Sequence, residues 1–361
     1  MKKLFLLLCA MALLAPAYAT NELVNIEILI PFATADGGED AIGSGAIYGI
    51  AFEGDTAYVQ LSLNSLPQIT KITDVGGTQS VTRLVDPPDW LLASDKTSMT
   101  AFYGFTIIGD HLQFADVASD MIWRVNKVTG AIMRYADTNA IMTATGADKV
   151  SLPAFNCANP FNGEQVFFDS ESDSILTTDG SNTVQVFISK DDLEDEFDTA
   201  GVSGGFDFDT AGNFYFGLRD SGLDYTGLHK RDTNGVLSVV LSDTDISLAT
   251  GGNYPIFGDV FMAPDGLMYF CARMGASGNI LRFDPADPVN SLELFLSEQD
   301  LIQSVAADAN VAQMGWYDGG LCWHRFQRNP IYRALEIPEP GLAACLGLSV
   351  YFILMRWKST R

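Results

Sequence analysis

Apolar and polar positions along the middle of the chain repeat one phrase: an apolar strand, a tight turn centred on glycine beside a polar residue, and a second strand rich in aromatics. The phrase reads IAFEGDTAYV, FTIIGDHLQF, NPFNGEQVFF, FDFDTAGNFYF, VFMAPDGLMYF and WYDGGLCWHR. Its glycines are Gly54, Gly109, Gly163, Gly212, Gly266 and Gly320, separated by 55, 54, 49, 54 and 54 residues. Turns such as Asp265-Gly266 and Gly212-Asn213 tolerate positive φ and so match the right-handed twist of flanking strands. After a loop, each hairpin is followed by a short apolar segment: ITKI, IWRV, VQVF, LHKR, ILRF and IYRA. Five of these carry a base at the third place, Lys71, Arg124, Lys230, Arg282 and Arg333, with Val186 the exception. They predict a third strand. TGAIMRYAD, NGVLSVVLSD and SLELFLSE alternate as a fourth would. In the third unit the acidic run Asp191, Asp192, Glu194, Asp195 and Glu196 stands where a fourth strand is expected.

Units of about 50 residues and four strands, repeated six times, predict an all-β fold, a six-bladed β-propeller in which each sheet hides its faces against its neighbours. The sixth unit ends one strand short, after Arg333, while NELVNIEILIPF near the start is an alternating strand without a local partner. Residues 21–30 are therefore expected to complete the last blade as its outer strand and to leave no free edge. A ring closed in this way is expected to be a monomer.

The two ends read as addresses. Lys2 and Lys3 precede an apolar run from Leu4 to Leu14, and Ala17 and Ala19 flank Tyr18 as an A-x-A cleavage site. That order defines a signal peptide over 1–19, cut by signal peptidase after Ala19. At the other end Pro338, Glu339 and Pro340 precede an apolar stretch over 341–355 that stops at Arg356 and Lys358. As a transmembrane helix this stretch would span about 22 Å of a roughly 30 Å hydrocarbon core, with Trp357 and snorkelling bases making up the difference. Bases on its far side leave the tail cytoplasmic and the body outside. The expected organisation is signal peptide 1–19, propeller 20–336 and sorting segment 337–361.

The tail resembles the PEP-CTERM sorting signal of Gram-negative bacteria, with the tripeptide, the spanning segment and the basic end in order. The resemblance implies that Pro338, Glu339 and Pro340 form a processing handle for an exosortase. It also implies transient anchoring in the inner membrane before display at the cell surface or release. The body phrases FDFDTAGNFYFG and FGDVFMAPDGLMYF, followed by GNILRFDP, resemble six-bladed propellers of the NHL and SMP-30/gluconolactonase type. Lactonases of that type hold a divalent cation at the channel mouth through a Glu, an Asn and an Asp from different blades, an oxygen donor set suited to calcium. Just before the inner strands this chain has Ile47-Tyr48, Phe102-Tyr103, Phe155-Asn156, Ser203-Gly204, Gly258-Asp259 and Gln313-Met314. Asn156 and Asp259 are the metal ligands this resemblance implies, and the first-blade acid is absent.

Charge narrows the partners. The 361 residues carry 21 Lys+Arg against 45 Asp+Glu, a formal net charge of −24, and five of those bases lie in the terminal signals. Such a body repels nucleic acid and anionic lipid surfaces. Glycans, small molecules or other exported proteins are the expected partners. Hydrophobic residues make up 47 %, enough to build a sizeable core. Cys157, Cys271 and Cys322 form no metal-binding spacing; they read as buried packing, with Cys271 to Cys322 the pair to bridge if any does. His111, His229 and His324 read as packed or surface residues, and no nucleophile elbow, HExxH or P-loop is present. The expectation is a non-enzymatic binding propeller, with a calcium-dependent hydrolase on the same scaffold as the alternative.

Overall fold

The computed structural model describes residues 24–30, 46–63, 66–94, 102–117, 119–153, 156–219, 225–252, 254, 256–274, 277–305, 311–325 and 330–336. The signal peptide over 1–19, the Pro-Glu-Pro handle and the segment over 341–355 lie outside these residues. Among the described residues no helix is long and apolar enough to cross a membrane. The chain divides into a body, Ile26–Arg333, and a unit of the two ends, Met1–Asn25 with Ala334–Arg361. Of that terminal unit only 24–25 and 334–336, the tips of two strands, are described.

The body is a six-bladed propeller. After β1 (Val24–Ile30), blade one holds β2 (Ala46–Glu53), β3 (Thr56–Leu63), β4 (Leu66–Thr73) and β5 (Ser80–Val85). Blade two holds β6 (Phe102–Ile108), β7 (His111–Asp116), β8 (Met121–Asn126) and β9 (Ile132–Ala136). Blade three holds β10 (Asn156–Ala158), β11 (Gln165–Asp169), β12 (Ser174–Thr178) and β13 (Val184–Ile188). Blade four holds β14 (Gly201–Phe208), β15 (Phe214–Arg219), β16 (Tyr225–Arg231) and β17 (Leu237–Leu241). Blade five holds β18 (Ile256–Met262), β19 (Met268–Met274), β20 (Ser277–Phe283) and β21 (Glu293–Leu296). Blade six holds β22 (Val311–Tyr317), β23 (Gly320–Arg325) and β24 (Ile331–Glu336), and its fourth strand is β1 in the order β1-β24-β23-β22. The first strands touch in a ring, β2 to β6, β10, β14, β18, β22 and back to β2. The expected closure by the early strand is therefore present. Arg333 on β24 ion-pairs with Glu27 on β1 and lies over the Tyr317 ring.

The repeat is stricter than its turn glycines suggest. Third strands carry a buried aliphatic residue at Ile69, Ile122, Ile175, Leu228, Ile280 and Ile331, at intervals of 53, 53, 53, 52 and 51 residues. In blades one to five the pairing to the fourth strand bulges immediately after that residue. Two places on lies the recurrent base, facing Tyr58, Gln113, Tyr215 and Tyr269 across the sheet in blades one, two, four and five. Register corrects the reading of the third unit. Its third strand is SILTT, with Thr177 where the base would be and a bond to Glu164, while VQVF is the fourth strand. The missing base is what hid β12. In blade six the turn falls on Asp318 and Gly319, at φ of 45° and 76°, and Gly320 already opens β23.

The acidic run after β13 is a helix. Fourth strands of blades one to five each lead into an eight-residue helix: α1 (Pro87–Ser94), α2 (Thr138–Thr145), α3 (Lys190–Phe197), α4 (Asp243–Thr250) and, after the short α5 (Pro288–Ser291), α6 (Glu298–Val305). Asp137, Ser189 and Ser242 cap the starts of α2, α3 and α4. In α3 and α4 Asp192 and Asp245 return the bond in full capping boxes, and Ser297 with Asp300 repeats the pattern at α6. The residue before each cap and the fourth residue after it are buried: Val85 with Trp90, Ala136 with Ile141, Ile188 with Leu193, Leu241 with Ile246, and Leu296 with Leu301. The first four pairs share one hydrophobic cluster each. This is a hydrophobic staple used five times. It explains why carboxylates that look like free surface charge sit at fixed places.

Trimming the staple should cost more than breaking the cap. Leu193→Ala is expected to lower unfolding free energy by about 2–4 kcal/mol and Asp192→Ala by about 1 kcal/mol, read by chemical denaturation at constant slope. Equal losses would mean that the helix is held by its cap alone.

Candidate functional site: the axial channel

The inner strands approach the propeller axis in two rungs fixed by register. Ala51, Thr106, Cys157, Asp207 and Phe261 occupy equivalent places, opposite Tyr58, Gln113, Val166, Tyr215 and Tyr269. Two residues earlier stand Gly49, Gly104, Gly205 and Asp259. Asp207, Asp259 and Gln313 are half-buried and join consecutive blades through the backbone. Asp207 Oδ2 accepts from the Met262 N–H at 2.9 Å, Asp259 Oδ2 from Met314 N–H at 2.8 Å, and Gln313 Oε1 from Ile50 N–H at 2.8 Å. Blade four is thus tied to five, five to six and six to one. Ser203 Oγ adds a bond to the Ile256 carbonyl at 2.8 Å. Gly205 must be glycine here: a Cβ would lie 2.6 Å from Asp259 Oδ1 and 2.9 Å from its Cα.

Blades two and three are linked by a polar chain. Asn156 Oδ1 accepts from Gln165 Nε2 at 2.7 Å and from Thr106 Oγ1 at 3.4 Å. Gln113, oriented by its neighbours, donates to Gln165 Oε1 at 3.0 Å and accepts from Arg124 Nη2 and Nε at 2.7 and 3.0 Å. Arg124 also donates to the Tyr135 hydroxyl at 2.6 Å and stacks on its ring. The recurrent base of blade two is therefore the outer end of a chain that ends at the axis, a role its sequence position alone did not reveal.

Enclosure sets the electrostatics. Both channel aspartates keep a sliver of surface, but protein packs around the carboxyls and removes most of their water. Burial pushes Asp207 up to about 7, against the opposing N–H bonds of Met262 and Phe208. Burial pushes Asp259 up to about 8, with the Met314 N–H opposing and the Asp207 charge adding to the rise. The Cys157 thiol beside them is driven well above its ordinary value by burial, then by Asp207 and Asp259. Burial holds His229 and His324 down to about 4.

The residues expected to bind metal take up other bonds: Asn156 turns its carbonyl to Gln165 and Thr106, and Asp259 turns one oxygen to Met314. Among the described residues no three His, Cys, Asp or Glu side chains gather as a metal site. Cys157, Cys271 and Cys322 are all buried and unbridged, in line with their reading as packing. Cys271 faces Met314 Sδ at 4.0 Å across the boundary of blades five and six, whereas Cys322 lies in the core shared by blades six and one. His229 and His324 are buried in strands, as read from the sequence. Asp207 and Gln313 are not among the ligands the lactonase resemblance implies; FDFD and VAQMGW place them 52 residues before and 54 after Asp259.

Comparison with known proteins supports the fold. No family model matches the chain, and no curated protein matches it in sequence. Among solved structures it is similar to a protein of unknown function from Bacteroides thetaiotaomicron, at 14% identity over 87% of this chain and 76% of the other, with a TM-score of 0.59. It is also similar to virginiamycin B lyase from Staphylococcus aureus, at 12% identity over 87% and 100% of the two chains, TM-score 0.52. The calcium-binding protein regucalcin from Agrobacterium tumefaciens matches at 12% identity over 81% and 90%, TM-score 0.51. At these identities the likeness shows the fold alone, the propeller that the six four-stranded sheets already define.

Stability should follow these protonations. Asp207 and Asp259 hold protons more tightly folded than unfolded, so their contribution is full below the unfolded value of 3.8 and is lost as pH rises through about 7 and 8. His229 and His324 act oppositely: their contribution is full above the unfolded value of 6.5 and is lost as pH falls through about 4. The two slopes oppose each other from about pH 4 to 6.5, and the carboxyls act alone above that. The melting temperature is expected to fall by roughly 3–8 °C between about pH 6.5 and 8.5. Asp259→Asn, which keeps an acceptor for Met314, should flatten that fall when both proteins are melted in parallel.

Proposed function

We propose that the chain is an exported cell-surface or extracellular-matrix protein whose propeller binds rather than transforms its ligand, delivered by signal peptidase and an exosortase-type system. The observation that carries the reading is the use of the channel groups. Asp207, Asp259, Gln313 and Asn156 hold strands or side chains of the ring, in place of a set of free catalytic groups around one reacting centre. The addresses at both ends, Ala17 and Ala19 at one and Pro338, Glu339 and Pro340 at the other, supply the route. The large negative charge favours neutral or cationic partners, a glycan, a small molecule or another exported protein, over nucleic acid.

The second reading, a calcium-dependent hydrolase, draws on the partly accessible Asp259 carboxyl and on the scaffold type. Calcium would need Asn156 to give up its bonds to Gln165 and Thr106. That reading expects metal-dependent lactone turnover that Asp259→Ala and Asn156→Ala both abolish.

Fractionation of the producing cells tests the leading reading. Wild-type protein is expected at the surface or in the medium, shortened at both ends by mass spectrometry. Replacing Pro338, Glu339 and Pro340 with alanines should leave it in the inner membrane with its tail intact. Unchanged sorting of that variant, or turnover of lactones by the purified protein, contradicts the proposal.

A further inference from the structure

The inner strands of blades four, five and six carry oxygen acceptors, Asp207, Asp259 and Gln313, that reach the following blade. Asp259 lies between two neighbours: its Oδ1 rests over the bare Cα of Gly205, two residues before Asp207, and its Oδ2 takes the N–H of Met314, the residue after Gln313. Asp207, Asp259 and Gln313 therefore stand on three consecutive blades, with Asp259 one rung from Asp207 and close enough for the Asp207 charge to act on it. Each retains lone pairs beyond those used by Phe208, Met262, Met314, Val260 and Ile50. Among the described residues no Lys or Arg pairs with either aspartate.

An independent feature lies at the next blade. Gln60 on β3 is fully buried, and neither its amide oxygen nor its nitrogen has a partner. Such a group is rare because a buried amide loses its bonds to water and gains none in return. Its oxygen lies 3.5 Å from the place a Gly49 Cβ would take, as does Gln313 Oε1. Gly49 is the blade-one equivalent of Asp259, so Gln60 is turned into the gap that the missing side chain leaves on the same rung. Gly104 adjoins that gap, its nitrogen 3.3 Å from the same point. The acceptors are thus continued by an amide oxygen beside Gly49 and Gly104.

We infer that the axial channel binds a primary ammonium group carried on an unbranched chain, its three N–H bonds directed to Asp207, Asp259 and Gln313. Three donors on one compact charge match three acceptors on successive blades. Neutral amides beside the two aspartates suit a single positive charge, and among the described residues no third carboxylate joins them as in a divalent metal cage. The acidic body draws such a cation toward the channel. This inference rests on the reading of the propeller as a binding module and names the ligand class of its channel.

Titration calorimetry of the full chain in mild detergent tests it, at about pH 8.5, where a primary amine is still charged. The probes are n-butylamine, butyltrimethylammonium and butan-1-ol. Butylamine is expected to bind at least about tenfold tighter than butyltrimethylammonium, which has no N–H, and butan-1-ol to give no heat. Asp207→Asn and Asp259→Asn should each weaken butylamine at least about tenfold with an unchanged β-sheet spectrum. If a variant does not fold, the comparison of the three probes on the wild type decides alone. Equal affinity for the two cations, no butylamine binding, or full binding by both folded variants overturns the inference. Failure there with normal surface sorting and no lactone turnover removes only the amine; lactone turnover removes the binding reading itself.

Discussion

A four-stranded sheet with two apolar faces cannot hide either without a neighbour, and this propeller answers that need six times. Tyr58 and Ile69 of blade one pack with Phe105, Leu112 and Phe114 of blade two, while Ala57, Val59 and Leu61 pack with Tyr317 and Cys322 of blade six. Phe206, Phe214 and Phe216 close the gap from blade four to three, and Tyr215 the gap to five. Because every sheet is buried only by others, the ring has to close. It does so where β1 takes the fourth place beside β24, so the strand made first seals the blade made last.

The constraint reaches the axis. Inner strands converge there, and Gly205 leaves the space that Asp259 of the next blade fills. Where side chains are kept they do structural work as well as line the channel. Asp207, Asp259 and Gln313 each take a backbone N–H of the following blade, a polar counterpart of the apolar contacts farther out. Holding carboxyls there costs desolvation, which shows as their raised proton affinity. The carboxyls and the amide accept more than one bond each, so the residues that tie the ring keep acceptor capacity to spare.

Much of this was legible in the sequence because the repeat is written in turn glycines and in the base two places after a buried aliphatic residue. The blade count, the four strands per blade and the closing strand all follow from that period. Blade three departs from the pattern for a local reason: Thr177 replaces the base, so SILTT lacks the mark of a third strand and VQVF, the fourth strand, stands in its place in the sequence pattern. The rim helices escaped because eight residues with one buried position give almost no helical periodicity, and their cap carboxylates look like solvated charge. Asn156 and Asp259 were singled out by resemblance to lactonases. What their oxygens bond to depends on Gln165, Thr106 and Met314, which come from other strands or another blade and are invisible to any local pattern.

Closure by β1 is the claim on which the map from residue to face depends. The most direct measurement is native-state hydrogen exchange at the strand amides of residues 26–30 and 331–333. If β1 seals the ring, those amides on paired positions exchange only with global unfolding, as slowly as the core of β15 or β19. Exchange on the timescale of a fraying terminus, with the other blades still protected, would contradict a ring closed at blade six.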